Sequence, residues 1–289
     1  MYIAGFLFII VFALAMIAGR ILPPSVGKAA DKLLMPTVLA LIFTISMWGG
    51  GELTSLSKVT RLVVYSLAYS IAIVLVTYAV GMLISRGWGR GRAVARGRAP
   101  LVFILTLVVG WVVGAFTRIP IVGNAVEPEL MVLASVVGLS TGRVITLRSI
   151  AAGGRIGLMS SLAALIGSSL TGLALSRLLG VGLNVSLAVA LGMGWYTFTG
   201  PTVALYAGPY YGLLAFLTNF LREQLTYVVV PFMPGSPEAL ISVGGATTMD
   251  DTLPVYVSVL GRDYSVASIS NGLLLTVVVP IVVPLVLTI

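Results

Sequence analysis

Residues 244–254 read GGATTMDDTLP, set between ALISV at 239–243 and VYVSVL at 255–260. Two Gly, three Thr, two Asp and a Pro thus interrupt a segment that is apolar on both sides. Gly244 and Gly245 permit unusual backbone, while Pro254 removes a donor and restricts Leu253. In hydrocarbon, freed backbone groups persist only where protein buries them or a cavity receives them. The pattern predicts a helix broken near 244–254, with carbonyls and helix ends turned toward a substrate or an ion. The plain alternative is an extramembrane loop between two helices. Adjacent Asp250 and Asp251 point in different directions. Two close carboxylates repel each other when ionised, which suits a proton carrier.

The rest of the chain supplies the membrane. Of 289 residues, 58% are hydrophobic and 9% charged, and mean hydropathy is +1.11. A soluble domain carries roughly 25% charged residues. Apolar runs fall at 2–18, 33–50, 62–84, 100–117, 130–147, 156–176, 184–200, 210–230, 239–260 and 265–287. Runs of this length suit helices crossing about 30 Å of hydrocarbon, and the alternation of membrane strands is absent. The expectation is an all-α polytopic membrane protein of about ten segments, one transmembrane domain over 1–289. Met1 to Gly19 lacks a basic start and is followed by further spans, so it reads as the first helix and not as a signal peptide.

There is no His and no Cys. That removes imidazole bases, zinc or haem ligation by these groups, disulfides and thiol nucleophiles. No cofactor and no metal are expected. An enzyme without His would need Asp/Glu chemistry and larger soluble loops, so the chain does not read as an enzyme.

The net charge of +8 reflects topology better than nucleic-acid binding, because the basic residues sit in short loops. With the N-terminus outside, Arg20, Lys28, Lys32, Arg86, Arg90, Arg92, Arg96, Arg98, Arg148 and Arg155 fall inside. Lys58, Arg61, Arg118 and Arg177 fall outside. The run RGWGRGRAVARGR at 86–98 dominates this bias and reads as an inside anchor. A cytoplasmic (inner) membrane location with the N-terminus outside follows. Ten segments divide as five and five, and an odd number per half inserts the halves oppositely. Inverted repeats over 1–150 and 151–289 are therefore expected. SMWGGG at 46–51 and GMGWYTFTG at 192–200 stand at corresponding places.

Two further stretches are too polar for their spans. GMGWYTFTGP at 192–201 holds three Gly and a Pro, enough to end or unwind a helix. It reads as a helix end with interfacial aromatics, or as an unwound segment lining a cavity. In NFLREQ at 219–224, Asn219 and Glu223 share a face with Thr226. Arg222 lies about 100° round from Glu223. An ionisable residue near mid-membrane costs about 2.5–3.5 kcal/mol on insertion scales. An internal ion pair that locks helices is one reading; Glu223 facing a wet cavity is the other.

GMGWYTFTGP, NFLREQ and GGATTMDDTLP, in this order and spacing, resemble the signature of the prokaryotic lysine-exporter family over about the last hundred residues. The first half is similar only in hydropathy. The resemblance implies efflux of L-lysine and of analogues such as thialysine, by exchange for protons, on a fold of inverted repeats with broken crossing helices. It carries over to Gly194, Trp195, Tyr196, Gly200, Asn219, Arg222 and Glu223, and to Gly244 through Thr247, Met249, Asp250, Thr252, Leu253 and Pro254. Met193 stands where the family has an aromatic, and Asp251 where it has an apolar residue. The family also has an early acidic residue, for which Asp31 is the candidate before Glu52.

The expected substrate or ion site is therefore Glu223, Asp250, Asp251, Asn219, Arg222, Thr247, Thr248, Trp195, Tyr196 and Asp31. Carboxylates would hold the ammonium groups, and Arg222 or a helix N-terminus the acid group. The coupling ion is expected to be H+, with Na+ open. The alternative function is a sodium- or proton-coupled carrier of another small ion or organic solute. The partners are a cationic amino acid and the lipid bilayer, with no nucleic acid; a homodimer stays open.

Overall fold

The computed structural model describes residues 2–53, 55–85, 101–119 and 122–288, and every regular element among them is helical. The basic run expected at 86–98 lies outside the described residues. Helix α1 spans Tyr2–Ile21, α2 Pro24–Glu52, α3 Leu56–Ile84, α4 Leu101–Thr117 and α5 Val126–Thr141. Then follow α6 Leu147–Ala152, α7 Gly154–Leu179, α8 Leu183–Leu191, α9 Tyr196–Ala207 and α10 Pro209–Val229. The chain ends with α11 Pro237–Gly244, α12 Leu253–Leu260 and α13 Ser265–Leu287.

The helix ends follow local chemistry. Pro24 opens α2, where its missing N–H is not needed. The Ser55 hydroxyl caps α3 by accepting from the Lys58 amide. Gly180 closes α7 in the left-handed region, at φ +66°.

Among the described residues, five helical stretches are long and apolar enough to cross a membrane: Pro24–Glu52, Leu56–Ile84, Val122–Thr141, Gly154–Leu179 and Arg262–Leu287. Shorter apolar helices cover Leu7–Ile21 and Val102–Thr117. Their outer faces are greasy. Val63, Leu67, Ile71 and Leu75 expose one stripe of α3, and Leu158, Leu162, Ile166 and Leu170 one stripe of α7. The buried face of α7 is instead small and polar, with Ser160, Ser161, Ala164, Ser168 and Thr171. Small residues let membrane helices approach closely, and lipid solvates the apolar stripes. The chain is a multi-pass membrane protein.

One expected segment ends early and two are divided. The span at 130–147 stops at Thr141, and a separate helix starts at Leu147, where Thr146 and Ser149 form a reciprocal capping box. The span at 184–200 is two helices, α8 and α9, and that at 239–260 is α11 and α12. Gly200 and Pro201 do not end a helix; they lie inside α9, and the break falls earlier, between Leu191 and Tyr196. Pro254 likewise sits in the first turn of α12, where proline is tolerated.

Packing groups the helices. α2 packs against α4 and α5, with α1 on α5. α3 packs against α7, α10 and α11, while α13 packs on α7, α8 and the turn at Gly245–Met249. The two groups meet where α2 touches α9 and α10 and where α5 touches α9. The cavity described next lies along that meeting.

Candidate functional site

The two interrupted helices touch at their breaks. The Ala246 amide donates to the Met193 carbonyl at 2.8 Å, joining one break to the other. Gly245 sits at φ +66°, and a Cβ there would lie 2.2 Å from the Met193 carbonyl oxygen. Gly194 sits at φ +92°, and its Cβ would lie 3.1 Å from the Gly244 carbonyl oxygen. Glycine is thus demanded on both strands of the crossing, by backbone angle and by space. Met193, fully buried at φ +48°, carries the cost of a side chain in the left-handed region.

Polar side chains behind the crossing satisfy what the breaks release. Asn219 accepts from the Gly194 amide at 2.8 Å and donates to the carbonyls of Val189 and Ala215, both at 2.9 Å. Arg222, 0% exposed, donates to the last carbonyls of α11: Nε to Val243 at 2.8 Å and Nη2 to Ser242 at 3.0 Å. Its Nη1 reaches Ser168 Oγ at 3.4 Å. A cation at a helix C-terminus is favoured by the dipole as well as by these bonds. Asn271, a lone amide in the last apolar span, donates to the Gly245 carbonyl and to Thr248 Oγ1, both at 2.8 Å. Thr248 in turn donates to the Ser268 carbonyl at 2.8 Å, and Thr247 to the Gly244 carbonyl at 3.0 Å.

A cavity of about 470 Å³ opens in front of this crossing. Asp31, Glu223, Asp250 and Asp251 line it, with Trp195, Tyr196, Thr197, Tyr227 and Thr247. Apolar wall is supplied by Leu34, Met35 and Val38 of α2, Phe103 of α4, and Leu133 and Val137 of α5. No Lys or Arg lines it among the described residues. Asp31, Asp250 and Asp251 are exposed, whereas Glu223 is 1% exposed. Glu223 Oε1 accepts from Gln224 Nε2 at 3.1 Å, and its Oε2 is buried without a hydrogen-bond partner among the described residues. Asp250 Oδ1 accepts from the Asp251 amide at 2.7 Å, just before α12 begins at Leu253. Tyr227 donates to the Asp251 carbonyl.

The structure therefore brings seven of the ten expected residues to one cavity: Asp31, Trp195, Tyr196, Glu223, Thr247, Asp250 and Asp251. Asn219, Arg222 and Thr248 stand behind its wall, holding the breaks. Arg222 meets carbonyls and a hydroxyl there, so the ion pair that the sequence allowed is not formed; the salt bridge among the described residues joins Arg155 to Glu238 at 3.3 Å.

Tyr227, Ser140, Thr141 and Thr276 also line the cavity and carry no sequence signal of their own; Met249, part of the family pattern, lines it too. Asn271 did carry one, as a single amide among Leu, Val and Pro. The start of α9 faces the same cavity, since Trp195, Tyr196 and Thr197 line it and no side chain caps that helix. Pro201 leaves the Thr197 carbonyl without its helical donor. The arrangement offers negative side chains, a positive helix end and an apolar wall within one space.

A family model described as lysine exporter LysO matches residues 104–287 of this chain. The lysine exporter LysO of Escherichia coli is 34% identical over 91 residues, 31% of this chain and 30% of that protein. A putative lysine exporter of Haemophilus influenzae is 30% identical over 89 residues, 30% of this chain and 46% of that protein. The chain thus covers less than half the length of either relative.

Proposed function

This chain belongs to the lysine exporter LysO family, and on that premise we propose that it is a secondary active transporter that exports L-lysine, not an enzyme. One observation carries the substrate class. Four carboxylates line a single cavity, and no Lys or Arg lines it among the described residues. Such a space selects for positive charge. The apolar wall of Leu34, Val38, Leu133 and Val137 suits an aliphatic stem, as when lysine buries its methylenes and keeps its charged head solvated. The uncapped start of α9 supplies a partial positive charge for the substrate's own carboxylate. Arg222 is committed to the α11 carbonyls, so the helix start is the better donor. A volume of about 470 Å³ lies within the usual range of small-molecule sites.

The coupling ion is proposed to be a proton. Unwound carbonyls can coordinate sodium, but those of Ser242 to Gly245 at the α11 break each already serve a hydrogen bond. Those of Ser242 and Val243 accept from Arg222, that of Gly244 from Thr247, and that of Gly245 from Asn271. The Met193 carbonyl accepts from Ala246. Carboxylates remain, and a carboxylate can exchange a proton for an ammonium group. Proton antiport by Glu223 and Asp250, with thialysine as a second substrate, is the mechanism proposed.

We propose ten membrane segments: α1, α2, α3, α4, α5, α7, α8 with α9, α10, α11 with α12, and α13. We propose that they form inverted halves with the N-terminus outside the cytoplasmic membrane. Labelled lysine accumulating in inside-out vesicles tests the function. Uptake driven by an imposed pH gradient and indifferent to sodium is expected; uptake that requires sodium would overturn the coupling, and no lysine uptake would overturn the substrate.

A further inference from the structure

The central cavity takes Asp31, Leu34, Met35 and Val38 from the first half of α2, and a transported solute must leave toward the end where α2 finishes. Asp31 and Glu52, the last residue of α2, are 21 residues apart, or about 32 Å of helix rise, close to the hydrocarbon thickness of a bilayer. Glu52 lines a second cavity of about 300 Å³ with Lys58, Arg61, Tyr65 and Tyr210. Helix α5 runs along α2. Leu133 and Val137 of α5 face the central cavity, and four residues before Leu133 the same helix face presents Glu129.

Glu129 is turned across the seam to α2. Its Oε1 accepts from Thr44 Oγ1 at 2.9 Å, and its Oε2 is buried without a hydrogen-bond partner among the described residues. Thr44 lies 13 residues beyond Asp31 and 8 before Glu52, or about 20 Å and 12 Å of helix rise. One turn beyond Thr44, Trp48 donates to Glu52 at 2.8 Å. An acid in the first turn of a helix is ordinarily explained by the dipole. Glu127 fits that account, being in the first turn of α5 and exposed to solvent. Glu129 does not, because its carboxylate points at another helix and leaves one oxygen buried and unused.

We infer that Glu129, positioned by Thr44, is a second binding group for the substrate's ammonium, on the half of the path between the central cavity and Glu52. This rests on the reading that the central cavity binds a cation. The buried free oxygen takes the ammonium once the solute has left Glu223 and Asp250. Along α2, the buried Val38 and Leu41 fall between Asp31 and Thr44, so the two sites stand apart on the helix.

The test uses the full chain, with lysine binding measured on the purified protein and labelled-lysine exchange measured in proteoliposomes. Glu129→Gln keeps the side chain's size and its acceptor for Thr44. It should bind lysine at equilibrium within about twofold of wild type while exchange slows by about tenfold or more. Exchange at the wild-type rate would overturn the inference, and so would loss of binding in step with exchange, which would place Glu129 in the central site. If the Gln variant does not reach the membrane, Glu129→Asp is read by the same criteria, since it keeps the charge and shortens the reach. Glu223→Gln is measured alongside. Undiminished lysine binding by that variant would defeat the central-cavity reading, whatever Glu129 does.

Discussion

Gly245→Ala is the most demanding single change that the crossing allows. The residue sits at φ +66°, where a Cβ would stand 2.2 Å from the Met193 carbonyl oxygen. With ψ at −131° this is mirror-extended backbone that only glycine adopts readily, and holding alanine there costs about 1–3 kcal/mol. The clash is with backbone, so no rotamer relieves it, and the Met193 strand must move. Movement breaks the 2.8 Å bond from Ala246 to Met193, worth about 0.5–1.5 kcal/mol net. The sum is about 1.5–4.5 kcal/mol before any strain is passed to Arg222, whose guanidinium carbon would lie 3.2 Å from the same Cβ. Thermal unfolding in detergent should show a clear fall in midpoint, and lysine exchange in proteoliposomes should drop sharply, because Thr247 and Asp250 follow directly on the turn. A variant with the wild-type midpoint and wild-type exchange would refute the account of the crossing.

Two other outcomes follow from the family pattern and from the distribution of basic residues. Asp250→Asn should reduce lysine exchange more than Asp251→Asn, since the family pattern places the acid at Asp250; the reverse order in a side-by-side vesicle assay would move the coupling group to Asp251. A reporter fused at Gly97 should register on the inner face, from the excess of Lys and Arg in the loops assigned inside; an outer-face signal would invert the orientation.

The break at 244–254 was legible because Gly, Thr, Asp and Pro together have no place in a lipid-facing helix. Its partner was harder. GMGWYTFTGP points to an interruption, but Pro201 draws the eye to the wrong end, and only the contact between Met193 and Gly245 shows that the chain opens at Gly192–Trp195. Spacing put Asn219 and Glu223 on one face, yet did not reveal that Asn219 serves the backbone while Glu223 faces the cavity. The role of Arg222 was equally hidden. Backbone carbonyls leave no mark in a sequence, so a buried guanidinium invites a search for a carboxylate partner. Asp31 was a candidate by family pattern alone, and no local spacing could have brought it across from α2 to the acids of α10 and the 245–251 turn. Glu129 carries no mark in the sequence, since an acid near a helix start is ordinary; its turn toward Thr44 is a fact of packing.

The claim that everything else leans on is that Glu223, buried with one free oxygen in front of the crossed breaks, holds the cationic solute. Equilibrium binding of lysine to purified wild type and to Glu223→Gln, both folded in detergent, tests it directly. Wild type should bind and the Gln variant should lose affinity by at least about tenfold, or about 1.4 kcal/mol. Equal affinity in the two proteins would contradict the account.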